Sequence, residues 1–111
     1  LSANNFFKAH EPYEKIDWQE ALQGCDIVIH CANIAHIRSK SKCISQDEYL
    51  RVNVCGTLNL YKYSCLMRVK RFIYISSIAV NGVETFGQPF TEKDTPMPNS
   101  HYAISKWMAE N

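Results

Sequence analysis

Arg71-Phe-Ile-Tyr-Ile-Ser-Ser-Ile-Ala-Val-Asn-Gly82 decides how the chain is read. It opens as an apolar, β-branched and aromatic run, the pattern of a strand buried on both faces. At Ser76-Ser77 it turns polar, at what would be the strand's carboxyl end. In open parallel α/β sheets, ligands lie outside the carboxyl ends of the strands, so a hydroxyl pair there is well placed for chemistry. Serines also end strands because they favour turns, and this stretch by itself leaves both roles open.

Upstream of it, Asp26-Ile-Val-Ile-His-Cys-Ala32 is a second continuous apolar run and reads as another strand, with Asn33 to Lys42 a polar loop at its carboxyl end. Between the two strands, Ser45-Gln-Asp-Glu48 is an S-x-x-E capping box. The helix it opens is expected to run to about Arg68, with Tyr49, Val52 and Leu60 on one apolar stripe. Gly56 inside that helix costs about 1 kcal/mol relative to Ala, which points to close approach by a strand, a helix or a cofactor. Asn53 lies on a face that should be partly buried and is expected to hydrogen-bond a loop backbone.

Further upstream, Asp17 with Glu20 resembles a capping box and Gly24 suits a C-cap, which predicts a short helix over residues 17–23. Before it, Phe6-Phe7 could end a strand. Downstream, Asn81 to Ser100 carries Gly82, Gly87, Pro89, Pro96 and Pro98 and reads as a long loop. Ser100 can then cap a last helix, His101 to Asn111. Helix, strand, loop, helix, strand, loop, helix predicts an α/β fold with parallel strands and right-handed crossovers.

Composition narrows the function. The 111 residues are 46% apolar and 21% charged, enough for one modest core. A net charge of +1, with Arg38, Lys40 and Lys42 as the one short basic patch, argues against nucleic-acid binding. No apolar run approaches the roughly 18 residues of a membrane span. Leu1 to Lys8 lacks the layout of a signal peptide, and without an initiating Met the chain is expected to be cut from something longer. Cys25, Cys31, Cys43, Cys55 and Cys65 are odd in number and form no C-x-x-C pair. Three lie in apolar segments, where a thiol acts as a small hydrophobe. A reducing, cytoplasmic compartment and no metal site are the resulting expectations. His30, flanked by Ile29 and Cys31, could be a ligand or base, but is read as a satisfied core residue.

The last helix opens with Tyr102-Ala-Ile-Ser-Lys106, placing Tyr and Lys four apart on one face. A phenol is a poor base near neutrality, and a neighbouring ammonium favours its phenolate. With a serine hydroxyl in reach, such a trio can move a proton onto or off a carbinol oxygen while hydride moves at its carbon. Y-x-x-x-K alone is a weak signal; the Ser-Ser strand end and the Pro-rich loop before it make it specific.

Four segments together resemble the extended short-chain dehydrogenase/reductase family, in particular its nucleotide-sugar epimerase/dehydratase branch. They are Asp26–Ala32, Asn53-Val-Cys-Gly-Thr-Leu-Asn-Leu60 (the N-x-x-G-T-x-N-L helix), Arg71–Gly82, and Tyr102 to Lys106 with Glu110 beyond. The resemblance implies a Rossmann-like NAD(P)-binding domain, here partial over residues 1–111. It implies that Tyr102 is the acid/base, that Lys106 lowers its pKa and binds the nicotinamide ribose, and that Ser77 hydrogen-bonds the sugar oxygen. Cys31, Ala32 and Asn33 would line the cofactor, and Asn53 would brace the loop beside it. NAD, or alternatively NADP, is the implied cofactor, a UDP-sugar the implied substrate, and a homodimer through the two long helices the implied assembly. The glycine-rich dinucleotide fingerprint, the acidic ribose-binding residue and the C-terminal sugar-binding region are not in this sequence.

The two residues after Ser77 narrow the reaction. The family's sugar-nucleotide 4,6-dehydratases carry an Asp-Glu pair there, since eliminating water needs a second acid and base. Ile78-Ala79 cannot supply them. Epimerisation at C4 or reduction of a 4-keto sugar remains, and a non-catalytic NAD(P) sensor is the reading from another class.

Overall fold

The computed structural model describes residues 12–35 and 44–111. Phe6-Phe7, Arg38, Lys40, Lys42 and Cys43 lie outside the described residues. Two strands, β1 (Ile27–His30) and β2 (Arg71–Tyr74), pair in parallel, with Ile27 opposite Arg71 and His30 opposite Tyr74. Strand side chains alternate between faces. Val28, His30, Phe72 and Tyr74 therefore share one face, and Ile27, Ile29 and Ile73 the other.

Helices cover the first face. The α-helical stretches among the described residues are α1 (Gln19–Leu22), α2 (Gln46–Tyr49), α3 (Gly56–Leu66) and α4 (His101–Glu110), and α3 and α4 send side chains onto the sheet. Tyr61 of α3 meets Phe72 edge-on, and Lys106 of α4 lies over Tyr74. On the opposite face Ile27 and Ile29 are 54% and 62% exposed. The expectation of strands buried on both faces is thus corrected: among the described residues, helices cover one side. The ladder is also shorter than the apolar runs. Ile75 N–H still reaches the His30 carbonyl at 3.0 Å, but Ser77 then caps a 3-10 turn, Ile78–Val80, accepting the Ala79 N–H at 3.2 Å. Local side-chain capping thereby ends the extended run at the serine pair.

The crossover from β1 to β2 is the predicted helical rod, and Ser45 does accept the Glu48 N–H, at 3.2 Å. Its middle departs from expectation. Residues Leu50–Cys55 form a π-helix, with the Gly56 N–H bonded to the Arg51 carbonyl five residues back. The rod ends in a Schellman motif: Arg68 adopts φ 57°, Arg68 N–H bonds Cys65 O at 3.1 Å, and Val69 N–H bonds Ser64 O at 2.9 Å.

Upstream, α1 is shorter than the predicted 17–23. The Asp17 carboxylate accepts the Gln19 N–H at 2.9 Å, two residues on instead of three, and this Asx-type turn holds the chain out of the helix until Gln19. Gly24, at φ 73°, terminates α1 as expected. At the other end Ser100 accepts the Ala103 N–H at 3.1 Å and starts α4 where predicted. Between them, residues 81–99 form no helix or strand, folding around a hollow of about 600 Å³.

The core is assembled from Ile16, Leu22, Tyr49, Val54, Leu60, Val80 and Ala103. Cys31, Cys55 and Cys65 are exposed free thiols and Cys25 is half-buried, so none of these four joins the core. Cys55 and Cys65 fall on the solvent side of the rod. Among the described residues, no helix is long and apolar enough to cross a membrane.

Candidate active site

The N-x-x-G-T-x-N segment builds the site from behind. Asn53 is 1% exposed. Its Oδ1 accepts the Ile34 N–H at 2.7 Å, and its Nδ2 donates to the Ile34 carbonyl and to Ser105 Oγ, both at 3.0 Å. One amide therefore grips the loop after β1 by its backbone and ties it to α4. The expected bond to a loop backbone is present; the tie to Ser105 was not read from the sequence, although Ser105 sits inside the Tyr102–Lys106 motif. Ser105 Oγ in turn donates to the Tyr102 carbonyl at 2.8 Å.

Thr57 has a second role. Its hydroxyl donates to the Asn53 carbonyl at 2.7 Å and meets His30 Nε2 at 2.9 Å. Because the hydroxyl proton is committed, Nε2 must be the donor, which fixes the imidazole tautomer. His30 is thus the satisfied core residue expected. Burial and the nearby Lys106 charge both hold its pKa below the ordinary 6.5.

Lys106 is 1% exposed, a charged group in the driest part of the chain. Its Nζ donates to the Ile75 carbonyl at 2.6 Å and lies 4.1 Å from the centre of the Tyr74 ring. Burial pushes its pKa down; Glu110 and Cys31 oppose that shift. Tyr74, beneath it, is pushed up to about 12 by burial, Glu110 and Tyr102. Lys106, Tyr74, Tyr102, Glu110, Cys31 and His30 thus share one electrostatic neighbourhood at the carboxyl ends of the strands.

Tyr102 is partly buried, and Tyr49 packs edge-on against it at 6.4 Å between ring centres. Tyr49 Oη donates to the Ala35 carbonyl at 3.2 Å, so the loop after β1 also orients the ring beside Tyr102. Ser77 heads the 3-10 turn against which α4 packs, its hydroxyl accepting from Ala79. Its neighbour Ser76 bonds to Glu110. Cys31, Ala32 and Asn33 lie exposed past the end of β1, with Asn33 Nδ2 donating to the Cys31 carbonyl at 3.0 Å. The geometry therefore links Asn53 through Ser105 to the backbone carbonyl of Tyr102 and seats Lys106 on Ile75 and Tyr74, while Ser77 and Cys31–Asn33 lie past the strand ends. Thr57, Tyr74, Ser105 and Glu110 complete the surroundings. Of these, Glu110 was flagged in sequence by its place beyond Lys106.

These residues are the ones that could hold a cofactor at the carboxyl ends of the strands. An ammonium has three N–H donors, and the Ile75 carbonyl takes one. The exposed backbone of Cys31–Asn33 opens on the same end of the sheet. No glycine-rich phosphate seat accompanies them in this sequence.

A parallel strand–helix–strand crossover with polar groups beyond its carboxyl ends is the arrangement of a Rossmann-like α/β fold. The profile of the NAD dependent epimerase/dehydratase family matches residues 7–111, and the chain belongs to that family. It is 41% identical over 95 residues to a UDP-glucose 4-epimerase of Vibrio cholerae, covering 85% of this chain and 29% of that protein. The UDP-glucuronic acid 4-epimerase of Bacillus cereus in complex with NAD is similar in structure, with TM-score 0.74 and 26% identity over 92% of this chain and 31% of that one. So is MoeE5 in complex with UDP-glucose and NAD, at TM-score 0.77 and 27% identity over 92% and 33%. A further neighbour is complexed with NADPH. The chain spans about a third of the length of these relatives.

Proposed function

We propose that this chain supplies the nicotinamide-ribose bed and the Ser77/Tyr102/Lys106 site of a longer NAD-dependent nucleotide-sugar 4-epimerase, acting on a UDP-hexose or UDP-N-acetylhexosamine. The observation that carries this reading is the dehydrated Lys106, held over the end of β2 one helical turn from Tyr102. The family, and a relative that is a UDP-glucose 4-epimerase, support it.

In this scheme Tyr102 takes the proton from the sugar hydroxyl and later returns it. Lys106 keeps positive charge beside that oxygen and hydrogen-bonds the ribose. Ser77 holds the reacting oxygen, with Cys31, Ala32, Asn33 and Asn53 shaping the cofactor side. NAD, when bound, supplies the hydride acceptor and donor, with NADP as the alternative. Ile78 and Ala79 beside Ser77 offer no second acid or base, which disfavours water elimination. A 4-keto-sugar reductase would use the same three side chains. A homodimer through the α2–α3 rod and α4, in a cytoplasmic compartment, completes the proposal.

Tyr102→Phe in the full-length protein tests it. Loss of general acid–base catalysis should lower turnover by ~10²–10⁴-fold with NAD affinity unchanged. Undiminished turnover would reject Tyr102 as the acid/base, whereas NAD binding without turnover in the unsubstituted protein would favour a nucleotide sensor. Catalytic amounts of NAD suffice for an epimerase, whereas stoichiometric consumption of reduced cofactor would establish the reductase.

A further inference from the structure

Lys106 poses a physical problem that its proposed role does not solve. An ammonium taken out of water favours its neutral form, yet the role assigned to it requires charge. Among the described residues it has one hydrogen-bond acceptor, the Ile75 carbonyl. Beneath it lies the face of the Tyr74 ring, 4.1 Å from Nζ to the ring centre. The negative face of an aromatic ring attracts a cation, and more strongly where water is excluded.

We propose that Tyr74 is a positioning residue for Lys106, its ring holding the ammonium charged and aimed at the carboxyl end of β2. This rests on the assignment of Lys106 to the reaction and deepens it. The other groups around Lys106 are Cys31 and His30 from β1 and its end, and Tyr102 and Glu110 from α4. Glu110 and Cys31 favour the charged amine, whereas burial opposes it. The ring, not the hydroxyl, does the holding: Tyr74 Oη is buried and finds no hydrogen-bond partner among the described residues. Tyr74 comes from the strand and Lys106 from α4, so the contact also fixes the helix against the sheet at the site.

The test is an isosteric series at position 74: Tyr74→Phe, then phenylalanines of increasing fluorination, which weaken the ring's negative face at nearly constant shape. The first readout needs neither cofactor nor turnover. It is the pH dependence of Lys106 labelling by an amine-selective reagent, followed by mass spectrometry. Tyr74→Phe should leave the Lys106 titration in place. Progressive fluorination should lower it stepwise, by about one pH unit at full fluorination, the size of a desolvated cation–π contact. The second readout is the pH–rate profile of the full-length protein, whose basic limb should move down in parallel, with KM for the sugar nucleotide within about twofold. A Lys106 titration that is flat across the series overturns the proposal, as does a shift produced by Tyr74→Phe alone. If the titration moves but Tyr102→Phe keeps full turnover, the positioning stands and the acid/base assignment of Tyr102 fails.

Discussion

At the residue scale, His30 shows how a core side chain reports on the chemistry beside it. Its Nε2–H donates to Thr57, whose own proton goes to the Asn53 carbonyl. Protonating the ring would place a second cation near Lys106 in a dry region, and its pKa is accordingly depressed below 6.5. A depressed histidine weighs on the folded state only in acid. Stability is intact above pH 6.5, falls as the pH drops below that value, and levels off beneath the folded pKa. His30→Gln keeps an N–H donor but does not titrate. Chemical denaturation of the two proteins between pH 8 and pH 4.5 should give curves that run parallel above pH ~6.5 and converge below it. A constant offset would show that His30 does not titrate with folding. The sequence made His30 legible as a satisfied residue because its neighbours in the strand are apolar. Its partner Thr57 was hidden, since nothing in a helix sequence states which strand residue lies beneath it.

At the element scale, the rod from Gln46 to Leu66 concentrates the family motif into side chains with separate duties. Asn53 binds the β1 loop and α4, and Thr57 receives His30. Gly56 admits the turn Tyr13–Lys15, and Asn59 Nδ2 donates to the carbonyls of Tyr13 and Ile16 at 3.1 and 2.8 Å. A Cβ on Gly56 would come within 2.8 Å of the Tyr13 Cβ, closer than atoms can pack. Intrinsic propensity says Gly56→Ala should stabilise the helix by about 1 kcal/mol. The contact says the reverse and should win, because overpacking typically costs about 1–3 kcal/mol. The prediction is a net loss of up to about 2 kcal/mol, read from the denaturant midpoint. Tyr13→Gly should abolish the penalty in the double mutant, since coupling is confined to residues in contact. Additive effects would contradict the contact. The glycine's purpose was legible in kind, as a close approach, but not the partner, which lies far upstream in the chain. The π-turn at Leu50–Cys55 was not legible at all: it changes the backbone ladder, and where the expected apolar stripe ran Tyr49, Val52, Leu60, Val52 is half-buried and Val54 enters the core instead. Such turns recur at functional sites, and here it sits where Asn53 must reach both the loop and Ser105.

At the scale of the whole molecule, the unequal faces of the sheet decide behaviour in solution. The apolar runs were read as doubly buried strands, and the composition of the strands supports that reading. Yet Ile27 and Ile29 stand more than half exposed, and Ile75 and Ile78 past the end of β2 are exposed as well. A run of side chains can declare that it wants burial without saying what supplies it. Each isoleucine withdrawn from water contributes about 1.5–3 kcal/mol, and among the described residues the sheet has two strands, whose outer edges present unpaired backbone groups. The 111-residue chain on its own should therefore self-associate at micromolar concentration. Ile27→Thr with Ile29→Thr keeps β-branched side chains suited to a strand while removing apolar area from the open face. Sedimentation velocity should show the doubly substituted chain dissociating with a constant at least ~10-fold weaker, a change of about 1.4 kcal/mol, and with unchanged helix content by circular dichroism. If association persists at full strength, the open sheet face is not its cause. Substitutions on the exposed side of the rod, at Leu58 and Tyr61, would then be the ones to weaken it.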